Sequence, residues 1–201
     1  QTLDAVVPGF TTGWLREGRS ELPGDQLIGA RRYRIYGNYV RSEDDETTVR
    51  LATIFFVDMT EMFNVRDEFL RTRPITAVIL IDNYDELMSN LPDSTISKLD
   101  AQINEAVSGW VTGLHALCRK MERNRYLLLF ESKDLSRLQE GKFSILDAIR
   151  AVVNPAGVNA TISLGIGKDG SSFEENYSFA NLSIEMALSR GGDQAVIKDR
   201  Y

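Results

Sequence analysis

The sequence predicts a mixed α+β fold: a short antiparallel meander, a connecting helix, and then a larger ferredoxin-like unit. Three observations predict it. Tyr33, Ile35, Gly37 and Tyr39 alternate with Arg32, Arg34, Tyr36 and Asn38, the period-two mark of a half-buried strand. Residues 75–81 form a continuous apolar run closing on Asp82, the composition of a strand buried on both faces. Helical and strand patterns then follow in the order β-α-β-β-α-β-α-β, a ferredoxin-like arrangement with one more helix and strand.

The first elements are short. Residues 26–30 make a small apolar run after Gly24-Asp25, and Ser42-Glu43-Asp44-Asp45-Glu46 is a polar acidic turn. A further strand spans residues 48–57, with Val49, Leu51, Thr53 and Phe55 on one face and Ala52, Ile54 and Phe56 on the other. Apolar residues on both faces mark it as a central strand. Arg31, Arg32 and Arg34 suit a charged strand edge, which blocks sheet-to-sheet pairing. Across residues 59–73, Met62, Val65, Phe69 and Leu70 recur at near-helical spacing among charges, and Pro74 stops the helix.

In the second unit, Pro92-Asp93-Ser94 starts a long amphipathic helix carrying Ile96, Leu99, Ile103, Val107 and Trp110 and ending near Gly113. A hairpin follows: a strand beginning around Leu114 to Arg119, a turn over residues 121–125, and a return strand over residues 126–130. One helix is expected over residues 134–153, with Leu138, Phe143, Leu146 and Ile149 inward, and a buried strand over residues 161–166. Ser171-x-x-Glu174 reads as a capping box for a helix whose inner face is Phe173, Tyr177, Ala180, Ile184 and Ala187. Gly191 or Gly192 closes it, and residues 194–197 form a last strand.

Composition narrows the function. Twenty-three Lys and Arg against 29 Asp and Glu leave a net charge of −6, so no nucleic-acid partner is expected. A single cysteine forms no intrachain disulfide and points to a reducing compartment; a single histidine excludes a Cys2His2 zinc site. No run approaches the ~18 apolar residues of a spanning helix. The chain opens QTLDAVVPGF, without Met or a basic leader, and reads as a piece of a longer protein.

The element order of residues 74–201 resembles the nucleotidyl cyclase palm of GGDEF domains, which make cyclic di-GMP. Thr161-Ile-Ser-Leu-Gly-Ile-Gly167 is similar to a strand of that family, and Phe56-Val-Asp-Met-Thr-Glu61 resembles the phrase that ends PAS domains. Ile81-Asp-Asn-Tyr-Asp-Glu86 and Ser189-Arg-Gly-Gly-Asp-Gln-Ala-Val-Ile197 look like the degenerate GGDEF domain of GdpP-type cyclic-di-AMP phosphodiesterases. The resemblance implies a partial PAS-like antiparallel sheet over residues 1–58, a linker helix over 59–73 and a degenerate GGDEF domain over 74–201. It further implies a membrane-anchored parent with this region on the cytoplasmic side, a homodimer, and a separate DHH/DHHA1 module that acts on cyclic di-AMP. One histidine cannot supply that module. Haem on the PAS-like part is not expected, because no histidine lies within residues 1–60.

The departures from an active cyclase fall at two places. The hairpin reads Glu122-Arg123-Asn124-Arg125-Tyr126, without the two glycines and with Arg125 at the acidic position. Aligning Asp82-Asn83-Tyr84 with the family's D-H-F places its metal aspartate at Leu80. Gly191-Gly192-Asp193-Gln194 imitates the signature but falls after the last helix, where a glycine cap is the simpler account.

Two groups remain as candidate nucleotide ligands. Asp82, Asn83 and Asp85 lie just past a buried strand; their alternative is a solvated helix N-terminus. Arg123, Asn124 and Arg125 form the hairpin tip, where arginine grips phosphate; their alternative is a type I′-like turn with Asn124 left-handed. ATP or GTP is the expected nucleotide, and the resemblance implies weak ATP hydrolysis with Mg²⁺ at most. No catalytic or resident metal residue is expected. His115 and Cys118, three apart, read as ordinary packing.

Overall fold

Apolar residues at every second position make a strand of the chain from Arg31, and a small sheet forms around it. The computed structural model describes residue 7, residues 10–40 and residues 51–200, and divides into units Gln1–Phe69 and Leu70–Tyr201. In the first unit, β1 (Gln26–Ile28), β2 (Arg31–Val40) and β3 (Leu51–Asp58) pair antiparallel in that order. A one-turn helix, α1 (Gly13–Arg16), lays Trp14 and Leu15 against Ile35, with Ile54 and Phe56 beside them.

Two expectations for this unit are corrected. Among the described residues β2 is the central strand and β3 the edge, with Phe55 54% and Val57 41% exposed. The helix covers one face only, so apolar residues on the other face of β3 do not signify a central position. The arginines therefore do not guard an edge: Arg31 pairs with Asp58 at 3.1 Å and Arg34 with Asp25 at 3.3 Å. The acidic turn 42–46, with Thr48 and Val49, lies outside the described residues. Helix α2 (Thr60–Thr72) follows, its start tied down by the Thr60 N–H donating to Asp58 Oδ1 at 3.0 Å.

The second unit is a five-stranded sheet in the order β5-β6-β4-β7-β8, antiparallel except for β7 and β8. Its strands are β4 (Pro74–Ile81), β5 (Leu117–Glu122), β6 (Arg125–Glu131), β7 (Ile162–Gly167) and β8 (Ala195–Lys198). β4, apolar apart from Thr76, sits between β6 and β7 and serves two cores. Ile75, Ala77, Ile79 and Ile81 join the large cluster with Leu99, Ile103 and Val107 of α4 (Asp93–Thr112). Val78 faces the other way, against Ala180 and Ile184 of α7 (Phe173–Ser189).

Several local readings change. The helix expected over residues 134–153 is two helices, α5 (Ser132–Glu140) and α6 (Ile145–Arg150). The chain breaks after Gly141, where Lys142 and Phe143 are both left-handed, and apolar spacing runs across the break unaltered. A five-residue helix, α3 (Tyr84–Met88), was too short for periodicity to reveal. β5 starts at Leu117, inside the span where the strand is expected to begin, and Leu114 before it packs in the core. The cap of α7 falls one residue later than the capping box proposed: Ser172 Oγ accepts from the Glu175 N–H at 3.1 Å, and Glu175 reaches back to the Ser171 N–H at 2.6 Å.

The inner face of α7 is also different. Phe173 and Tyr177 are exposed, while Asn176 and Ser183 are buried in the seam. The cause is backbone proximity. Gly165 and Gly167 let β7 approach so closely that only small or hydrogen-bonded side chains fit: Asn176 donates to Pro74 O and accepts from the Gly170 N–H. Gly191 and Gly192 are left-handed, as a glycine cap requires.

Candidate functional site

β4 ends with neighbours on both sides, and this divides the six candidate residues into two places. Toward β6, the Ile81 N–H donates to Asn124 O at 2.8 Å, and Arg125 stands opposite Leu80 in the ladder. Toward β7, Asp82 and Asn83 turn to the segment before that strand and to the last turn of the chain. The Asp82 N–H donates to Thr161 O at 2.9 Å, and Asn83 Oδ1 accepts from the Thr161 N–H at 3.1 Å. Asn83 Nδ2 also donates to Asn159 O at 2.8 Å, and Asp82 Oδ2 accepts from the Asp193 N–H at 2.8 Å. Asp85 lies exposed in the first turn of α3, as the dipole alternative has it. Asp82 and Asn83 do not: they tie the chain together.

At the tip, Arg123 and Asn124 alone join β5 to β6. Asn124 is not left-handed, which corrects the type I′ alternative. An irregularity between Lys120 and Glu122 places an extra residue, Met121, in β5, and such a bulge adds the twist that a primed turn would otherwise provide.

A groove of ≈ 400 Å³ opens beside this tip, lined by Tyr84, Asp100, Lys120, Met121, Glu122 and Arg123. The Arg123 guanidinium lies 5.9 Å from the centre of the Tyr84 ring, and Lys120 Nζ lies 5.4 Å from that of Tyr126. Lys120 pairs with Asp100 at 2.6 Å; Asn104, one turn along α4, donates to Asp100 and accepts from the Tyr126 hydroxyl. Of the sequence candidates only Arg123 lines this groove. Its other lining residues come from α3, α4 and β5. The available signal was the pair Asp100 and Asn104, polar at helical spacing beside the apolar stripe of α4. Among the described residues, no three His, Cys, Asp or Glu side chains converge as a metal site.

Burial, followed by the charge of Asp100, pushes the Tyr126 phenol far above its ordinary value near 10, and Tyr84 moves the same way. Burial also raises the Cys118 thiol on β5, where it packs against the core. The sign for Tyr126 follows from linkage. The unfolded chain releases this proton first, so stability present below about pH 10 is lost as pH rises further. The urea midpoint should therefore fall between about pH 9 and pH 11. Tyr126→Phe should flatten that fall, and an unchanged slope would mean the phenol is not held neutral.

This sheet, with helices on both faces, has the fold of solved GGDEF domains. The active GGEEF domain of a diguanylate cyclase from Vibrio cholerae superposes with a TM-score of 0.56 over 67% of this chain and 88% of that one, at 12% identity. That likeness establishes the fold alone.

The family is established by sequence. The model described as "Cyclic-di-AMP phosphodiesterase GdpP-like, GGDEF domain" matches residues 79–201, and the chain belongs to that family. It is 32% identical over 145 residues to the cyclic-di-AMP phosphodiesterase GdpP of Bacillus subtilis (strain 168), and 31% identical over 145 residues to the cyclic-di-AMP phosphodiesterase PdeA of Listeria monocytogenes (serotype 1/2a, strain 10403S). Each match covers 72% of this chain and 22% of the relative, so the chain spans about a fifth of the proteins it resembles. No helix among the described residues is long and apolar enough to cross a membrane.

Proposed function

We propose that this chain is a regulatory module of a membrane-anchored cyclic-di-AMP phosphodiesterase. In this reading residues 1–58 are a partial PAS-like sheet, 59–73 a linker helix, and 74–201 a degenerate GGDEF domain that relays a signal and makes no cyclic di-GMP. The observation that supports it is the chemistry at the end of β4. Leu80, at the position where the cyclase family carries its metal aspartate, packs beside Val78, Ala180 and Ile184, with the cationic Arg125 opposite it. Asp82, two residues on, already accepts the Asp193 N–H. A two-metal displacement needs carboxylates that hold cations between substrate oxygens.

The relay works by a shift of the linker helix in a homodimer, which alters how the GGDEF unit sets a catalytic module outside this chain. Incubation with GTP and Mg²⁺ should yield no cyclic di-GMP, and incubation with cyclic di-AMP should yield no linear dinucleotide. Either product, read by chromatography, would overturn the division of labour.

The groove beside the hairpin favours a second reading, in which the module senses a nucleotide. Arg123 and Lys120 present cations over aromatic rings at a solvent-open cleft, an arrangement suited to phosphate beside a stacked base. ATP or GTP, with Mg²⁺, is the expected ligand. Calorimetric titration should show binding weakened about tenfold by Arg123→Ala, the factor carried by one charge-assisted hydrogen bond. Absence of binding up to millimolar nucleotide would leave the groove without this role.

A further inference from the structure

The Asp82 carboxylate belongs to a closed ring of hydrogen bonds that the groove does not use. Asp82 Oδ2 accepts from the Asp193 N–H at 2.8 Å; Asp193 Oδ2 accepts from Arg150 Nε at 2.7 Å. The Arg150 carbonyl accepts from Asn159 Nδ2 at 2.8 Å, and the Asn159 carbonyl accepts from Asn83 Nδ2 at 2.8 Å, returning to the neighbour of Asp82. The ring joins the end of β4, the end of α6, the entry to β7 and the turn before β8.

We propose that this ring is a latch on the last strand, with the Asp82 carboxylate as its catch, so that disturbing Asp82 at the end of β4 releases β8 at the end of the unit. The latch adds to a short edge strand whose other ties are its ladder on β7, the packing of Ala195 and Ile197 against the core, and the Gln194 amide on Ala187 O. The strand is four residues long, pairs only with β7 among the described strands, and buries one side chain, Val196. Its turn depends on Asp193 in a left-handed conformation and on Gly192, where a Cβ would stand 2.7 Å from Asp82 Oδ2.

The closed latch is also poorly satisfied. Asp82 Oδ1 and Asp193 Oδ1 are both buried without a hydrogen-bond partner, and Arg150 is shared between Asp193 and Asp147. Unpaired buried oxygens oppose the bonds that close the ring, which lowers the cost of opening it. The purpose of the latch rests on the regulatory reading above; its chemistry does not.

Hydrogen exchange by mass spectrometry on the whole chain tests it. Asp82→Ala should speed exchange of the amides of residues 193–198 about tenfold, the factor expected for one lost charge-assisted bond, and leave the β5–β6 hairpin within twofold of wild type. Should Asp82→Ala not fold, Arg150→Gln breaks the same ring at its bond to Asp193 and should give the same local loosening. Unchanged exchange over residues 193–198 in a folded variant overturns the latch, and so does loosening spread evenly over the sheet. Those results leave the regulatory reading standing; cyclic di-GMP synthesis would sink that reading and leave the latch untouched.

Discussion

Alanine at Gly165 or Gly167 should cost the C-terminal unit at least about 3 kcal/mol, the upper end of overpacking penalties. A Cβ at Gly165 would stand 2.2 Å from the carbonyl oxygen of Ala180, and at Gly167 1.9 Å from that of Asn176. Both obstacles are backbone of α7, so no rotamer change relieves them. The helix must lift from β7, and lifting it opens the seam in which Ala180, Ser183, Ile184 and Ala187 are buried. Ser183 Oγ would also lose its bond to Ile166 O at 3.3 Å. Urea unfolding followed by far-UV circular dichroism should show the midpoint falling at unchanged slope. A loss below about 1 kcal/mol would mean that the helix rides over the new methyl groups freely.

These glycines also show what could be read from the sequence. The strand around them was legible because Ile162, Leu164 and Ile166 alternate with small residues, and its burial followed. The resemblance of that strand to its GGDEF counterpart led to the right fold. The consequence of the glycines for the facing helix was not legible, because helical periodicity assumes that the largest apolar residues point inward. With β7 this close, Phe173 has no room in the seam and Asn176 does, since its amide bonds with Pro74 and Gly170. The break between α5 and α6 escaped for a related reason: periodicity reports which residues are apolar, not where two of them turn left-handed.

Sequence reading picks out the end of a buried strand and a charged hairpin tip, and the structure shows what each of them touches. Sequence could not say that Asp82 and Arg123 are directed to opposite sides of β4, because this depends on β6 lying on one flank and β7 on the other. Lys120 and Tyr126 flank Arg123 through the register of the hairpin itself, whereas Tyr84 and Asp100 reach the groove through tertiary packing. Asp82 has the residue type of a metal ligand, and its actual partner is a backbone N–H 111 residues away.

The groove also depends on a residue outside it. Asn154 is buried; its Nδ2 donates to Leu87 O at 3.1 Å, and its Oδ1 accepts from the N–H groups of Ala156 at 3.0 Å and Val158 at 2.9 Å. Asn154→Ala therefore strands the buried Leu87 carbonyl and takes the partner from two half-buried amides, at a cost of about 3 kcal/mol. The damage should not be uniform. Helix α3 has five residues and no side-chain cap, and is held by the burial of Leu87 and Met88 and by this bond. It carries Tyr84, the aromatic wall under Arg123. At a temperature where the variant remains folded, exchange of the α3 amides should accelerate more than that of β4 or β6. If the groove binds nucleotide, affinity should fall with it, although Asn154 does not line the groove. Protection of α3 equal to wild type in a globally destabilised variant would show that the two buried side chains suffice. A fall in affinity without loosening of α3 would place the ligand elsewhere.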